Sequence, residues 1–159
     1  MKYANIKYYD VANGPGVRTS LFVSGCTHRC EGCFNEIAWD FDYGREFTKE
    51  TIDEIVDSLR EDYIAGITLL GGEPMEKVNQ VELIKLLREF KKIYPRKTVW
   101  CYSGYTYDED FIEGARAYTE VTNEFLSFVD VLVDGKFIIS LMDIRLKFIG
   151  SSNQRIIDM

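Results

Sequence analysis

The sequence predicts an α/β fold, an open partial (β/α) barrel with parallel strands and flanking helices, in a single domain over residues 1–159. Three observations lead there. Short apolar, β-branched runs that stop at glycine alternate with segments of helical periodicity, the pattern of βα units around a parallel sheet. About four or five such strands can be read, and 159 residues fall well short of the roughly 250 of a closed eight-stranded barrel. The composition is globular, with 46% hydrophobic and 28% charged residues and only three prolines, which leaves no low-complexity linker.

The first strand is "VRTSLFVSG", Val17 to Gly25, a β-rich run that ends at a cluster of cysteines. From Thr48, "TKETIDEIVDSLRED" sets Ile52, Ile55, Val56 and Leu59 at helical spacing, with Thr48 as N-cap and acids in the first turns. "AGITLLGGEP", Ala65 to Pro74, is a buried strand opening into a glycine loop. "NQVELIKLLREFKKIYP" follows as a helix, with Asn79 and Glu82 spaced as a capping box, Ile84, Leu87 and Phe90 on one face, and Pro95 as the stop. "KTVWCYSG" is the next strand, a weakly patterned helical stretch runs from about Asp108 to Phe125, and "FVDVLVDGK" is the last strand. Beyond Lys136 no clean period remains, and the segment is expected to be irregular chain covering one edge.

Charge and hydropathy narrow the function classes. The 19 Lys and Arg against 26 Asp and Glu give a net charge of −7, so the overall field repels phosphate backbones, and no nucleic-acid partner is expected. Tyr102, Tyr105 and Tyr107 cluster without interleaved Lys or Arg, which weighs against a stacking platform for bases. No stretch approaches the roughly 20 apolar residues of a membrane helix, and Met1 to Asp10 lacks the apolar run of a signal peptide. The expected location is the cytoplasm, where reduced, clustered thiols point to metal or redox chemistry.

Three of the four cysteines, Cys26, Cys30 and Cys33, lie in "GCTHRCEGC" with the only histidine, His28. The spacing lets one loop wrap soft thiolates around one centre. A structural zinc site closes with four ligands, whereas a [4Fe–4S] cluster on three cysteines leaves one iron open. The zinc reading requires Cys101 or His28 as the fourth ligand. His28 would strain the tight loop, and Cys101, the better candidate, reads first as a small core residue on a buried strand. His28 is read as shaping the loop or capping a sulfur, with no catalytic role.

The run Gly71, Gly72, Glu73, Pro74 ends the next strand. Two glycines before an acid are common in turns, but here both loops lie beyond the carboxyl ends of parallel strands, where α/β sheets bind ligands. Glycine admits close approach of the main chain, and an acid or carbonyl can receive an ammonium group.

A three-cysteine loop after the first barrel strand followed by GGEP after the second resembles the radical S-adenosylmethionine enzymes. The resemblance implies that Cys26, Cys30 and Cys33 ligate the cluster, and that Gly32, Cys33, Phe34, Gly72, Glu73 and Ser103 lie around the cofactor. It also implies chelation of the open iron by S-adenosylmethionine and one-electron cleavage to a 5′-deoxyadenosyl radical that abstracts hydrogen. Many members carry an aromatic residue just before the third cysteine. Here that position is Gly32, with Phe34 after the cysteine.

Within that superfamily, "NGPGVR", the loop with His28 and Gly32, "YSGYTYDE", "VDVLVDGKF" and "GSSNQRIID" resemble the anaerobic ribonucleoside-triphosphate reductase-activating proteins. That family implies a glycine of the large reductase subunit as substrate and an external one-electron donor such as flavodoxin or ferredoxin. A chain this short has little left for a lid, and a large partner would supply the missing wall against solvent. Two alternatives are a radical enzyme acting on a small molecule, such as a 7-carboxy-7-deazaguanine synthase, and a non-catalytic zinc module. Asn13 to Gly16 reads as a turn or a substrate-facing loop, Ser103 to Tyr105 as a strand-to-helix turn or a cofactor contact, and Asp134 to Lys136 as a β-turn.

Overall fold

A computed structural model describes all residues from Met1 to Met159. The chain opens with β1 (Lys2–Asp10) and β2 (Val17–Val23), paired antiparallel. A cysteine-bearing loop, a single 3-10 turn (Glu36–Trp39) and the two-residue β3 (Arg45–Glu46) lead to α1 (Lys49–Ser58). Then come β4 (Ile64–Gly71), α2 (Lys77–Ile93), β5 (Thr98–Tyr102), the one-turn α3 (Tyr107–Asp110), α4 (Thr122–Phe128), β6 (Val131–Asp134) and β7 (Arg155–Asp158).

All seven strands form one mixed sheet in the order β3-β1-β2-β4-β5-β6-β7. The four central strands are parallel, and each crossover steps to the adjacent strand in one direction. With right-handed crossovers a one-way progression sends every connecting helix to the same face. The packing agrees: Leu21, Val23, Ile67, Leu69, Val99, Cys101 and Leu132 join Ile52, Ile55, Leu83, Leu87 and Phe125 in one buried cluster. The alternate residues, among them Phe22, Leu70 and Tyr102, face a cavity instead, as the two-residue period of a strand requires.

Four expectations need correction. The N-terminal decapeptide forms a strand, and the C-terminal segment is not wholly irregular, because Arg155–Asp158 pairs antiparallel with β6. Arg155 fastens it through the buried Asp134 carboxylate. The Asn79–Glu82 capping box is absent: Glu76 is the N-cap of α2, and Asn79 is buried one turn further in. The helical stretch from about Asp108 to Phe125 is broken into α3 and α4 by turns. By contrast, Thr48 caps α1 as expected, in a reciprocal bond with Thr51.

At the entering ends of the parallel strands, Arg18 is fully buried. Its Nε donates to Thr68 Oγ1 (2.7 Å), one terminal nitrogen to Thr98 Oγ1 (3.0 Å) and the Pro15 carbonyl (3.3 Å), the other to the carbonyls of Ile67 (2.8 Å) and Thr98 (2.9 Å). Every guanidinium N–H therefore has a neutral acceptor, and the cation sits 5.9 Å from the Trp100 ring centre. Burial lowers its pKa to about 10. Thr68 Oγ1 also donates to the Asn13 carbonyl (2.8 Å), so the bent Asn13–Gly16 segment, whose Asn13 also lines a cavity, is fastened to β4.

Candidate active site

The leaving ends of β2, β4 and β5 carry three loops that meet. Gly72 N–H donates to the Val23 carbonyl and Glu73 N–H to the Gly25 carbonyl, each at 2.8 Å, while Gly25 N–H donates to the Ala38 carbonyl at 2.8 Å. A Cβ at position 72 would lie 2.6 Å from the Gly25 oxygen and 2.8 Å from the Ala38 oxygen. The second glycine of GGEP is there because two backbones touch the space a side chain would fill.

Cys26 and Cys30 are buried and Cys33 half-buried. All three line a cavity of about 850 Å³ together with Gly71, Gly72, Glu73, Ser103, Phe34 and Tyr102. Burial, with the nearby Glu73 and Glu76 carboxylates, pushes the Cys26 thiol up to about 12, and burial also raises Cys30. Such thiols hold their protons at neutral pH unless a metal cation replaces them.

No three His, Cys, Asp or Glu side chains converge closely enough for a single metal ion. Cys101, the proposed fourth zinc ligand, is wholly buried in the helix-facing core and is absent from the cavity wall. Three thiols on one cavity wall, with no fourth ligand beside them, are a donor set that would suit an iron–sulfur cluster with one open iron.

Glu73 is 1% exposed, yet its carboxylate is fully engaged. One oxygen accepts from Met75 N–H (2.8 Å) and Ser103 Oγ (2.9 Å), the other from Gly104 N–H (2.7 Å) and His28 Nε2 (3.0 Å). The Ser103 hydroxyl in turn accepts from Tyr105 N–H at 3.1 Å. These two side chains are thus spent on joining loops, and the Gly71–Gly72 backbone is the unencumbered part of this wall. The His28 ring packs 4.4 Å from Tyr105. A Cβ on Gly104 would come within 2.7 Å of it.

Gly32 takes φ +69° in the turn before Cys33 and does not line the cavity; a Cβ there would meet Ile139. Phe34 is 76% exposed and leans on Phe137, ring centres 5.1 Å apart, at the cavity mouth. The structure therefore brings Cys26, Cys30, Cys33, Phe34, Gly72, Glu73 and Ser103 together and sets Gly32 behind them. Glu76 escaped the sequence reading, although its place three residues after Glu73 on the same loop was a usable signal. Asp134 accepts from Arg155 and from Tyr107 N–H, and Gly135, at φ +102°, bends the chain after it with its N–H bonded to the Tyr105 carbonyl rather than across a β-turn.

A family model described as a 4Fe-4S single cluster domain matches residues 12–157. Among curated proteins, the anaerobic ribonucleoside-triphosphate reductase-activating protein of Vibrio cholerae is 39% identical over 97% of this chain and 96% of its own length. Its namesake in Enterobacteria phage T4 is 39% identical over 98% and 93%. That of Escherichia coli K12 is 38% identical over 97% and 96%. The chain belongs to the anaerobic ribonucleoside-triphosphate reductase-activating protein family. The [4Fe–4S] cofactor of this family accords with an all-sulfur donor set on a cavity wall, and neither the zinc module nor the small-molecule enzyme finds support among these relatives. No helix is long and apolar enough to cross a membrane.

Proposed function

We propose that this chain is a radical S-adenosylmethionine activase that generates a glycyl radical on an anaerobic ribonucleoside-triphosphate reductase, with Cys26, Cys30 and Cys33 holding its [4Fe–4S] cluster. The observation that carries the reading is the placement of three thiols and the Gly71–Gly72 backbone on one cavity wall. An open iron and a main-chain acceptor for the methionyl ammonium would face the same space. When bound, the reduced cluster supplies the electron that cleaves S-adenosylmethionine, and the resulting 5′-deoxyadenosyl radical takes a hydrogen atom from glycine.

The protein's part is to bind, orient and exclude water. Gly72 gives the backbone access. Phe22, Leu70 and Tyr102 supply an apolar floor, and Phe34 and Phe137 stand at the mouth. The one-way strand order with helices on a single face supports an open partial barrel of the radical S-adenosylmethionine type. An external one-electron donor, flavodoxin or ferredoxin in kind, completes the electron balance, and the large reductase subunit brings the glycine.

The test is anaerobic reconstitution with reductant and S-adenosylmethionine, with and without the cognate reductase. The expected result is 5′-deoxyadenosine together with a glycyl-radical signal on the reductase. Product without that signal would redirect the chemistry to another substrate, and no product from cluster-loaded protein would refute the activase reading.

A further inference from the structure

Two residues between the first two cysteines are tied to two carboxylates of the next loop. Thr27 donates its backbone N–H (2.7 Å) and its hydroxyl (2.5 Å) to one oxygen of Glu76. His28 Nε2 meets Glu73 at 3.0 Å. Both carboxyl groups are buried, Glu76 8% and Glu73 1% exposed, so these bonds are shielded from competing water. Arg116 approaches Nδ1 of His28 at 3.5 Å; a guanidinium can only donate, which leaves Nε2–H as the donor toward Glu73.

Asn79 adds a third tie, its amide nitrogen donating to the Ser24 carbonyl (3.0 Å) and to the Glu73 carbonyl (2.9 Å). The N-cap and first turn of α2 thus grip the cysteine loop on one side and GGEP on the other.

We infer that Glu76, with its partner Thr27, is a positioning residue that fixes the cysteine loop relative to the Gly71–Glu73 loop. The consequence is that the two halves of the S-adenosylmethionine site are presented at one set separation. The inference rests on the activase reading. A ligand that must reach an open iron and a main-chain acceptor at once binds well only if the two are held in register, because slack between them costs ordering entropy on binding. Glu76 makes no part of the cavity wall, so its effect on cofactor affinity travels through Thr27. His28 adds a second tie by way of Glu73, which itself borders the cavity and is a poorer probe.

The experiment uses cluster-reconstituted protein without reductase. It reads iron and sulfide content, S-adenosylmethionine affinity, and the change that S-adenosylmethionine makes in the paramagnetic resonance spectrum of the reduced cluster. Glu76→Ala is expected to keep its iron, to bind S-adenosylmethionine about tenfold more weakly, and to show a broadened spectral response. Glu76→Gln, whose carbonyl oxygen can accept both Thr27 bonds, restores affinity to within about twofold. Thr27→Val, which keeps the N–H bond and loses the hydroxyl, falls between.

Wild-type affinity and spectrum in iron-loaded Glu76→Ala would overturn the inference. So would loss of iron in Glu76→Ala with unchanged affinity in the loaded fraction, since Glu76 would then only support the loop. If the wild-type protein showed no response to S-adenosylmethionine, the activase reading itself would fail, so the two failures are distinct.

Discussion

Two buried charges sit at opposite ends of the same sheet and are satisfied in opposite ways. Arg18, where the parallel strands begin, gives its five N–H groups to hydroxyls and carbonyls of β4, β5 and the Asn13–Gly16 turn. Glu73, where β4 ends, draws its four donors from three different loops. The first fastens neighbouring strands whose register is already set by the ladder. The second holds together segments that have no ladder in common. A buried charge among strands is a stability device, whereas a buried charge among loops sets where the loop backbones stand.

The sharpest test of this contrast lies at the thiols. Cys26→Ala, Cys30→Ala and Cys33→Ala are each expected to abolish 5′-deoxyadenosine formation under reducing conditions and to lower bound iron severely. Cys101→Ala should keep its iron and lose about 1 kcal/mol of stability for the small core void. Iron loss in Cys101→Ala, measured by metal analysis, would return Cys101 to the ligand set.

Next in size is Arg18→Ala. Five acceptors lose their donor and a large side chain leaves a void, so unfolding free energy should fall by about 3–5 kcal/mol in urea denaturation of the cluster-free protein. The fraction that folds should bind S-adenosylmethionine with unchanged affinity. A comparable loss of affinity would mean that the two ends are not separable.

The smallest effect concerns Asp10, which lies beside Arg18's end of the sheet. Burial alone would raise its carboxyl, but hydrogen bonds from Ser20, Asn13 and Ala12 N–H, with Lys7 close by, outweigh that and hold it well below the usual carboxylate range. Its folded pKa is therefore depressed. The stabilisation is complete above the unfolded value of about 3.9 and is lost as pH falls from there toward the folded value. Wild-type protein should lose stability below about pH 4 more steeply than Asp10→Asn; parallel acid-unfolding curves would remove Asp10 from this account.

The parallel strands, the capped α1 and the pairing of the cysteine loop with GGEP were legible because each rests on local signals: β-branched runs, a threonine before an amphipathic segment, glycines at a strand's end. The outer strands were not. β1 and β7 leave most of their residues half-buried or exposed, so no strong apolar alternation marks them. The Asn79–Glu82 spacing looked like a cap, but Asn79 finds its partners at Ser24 and Glu73, and Glu82 pairs with Lys85 instead. A local signature was overruled by tertiary contacts. His28 and Thr27 illustrate the same limit, since nothing near them in sequence names acceptors 45 and 49 positions away.

The sheet does not close on itself: at one margin β3 covers only Lys2 and Tyr3 of β1, and the other margin is β7, four residues long. The short β7, with Arg155 and Asp158 on it, offers too few bare amides and carbonyls to template an incoming strand. Association with another protein by extending the sheet is thereby discouraged at the β7 margin. At that margin, contact with another molecule falls to side chains and loops rather than to strand exchange.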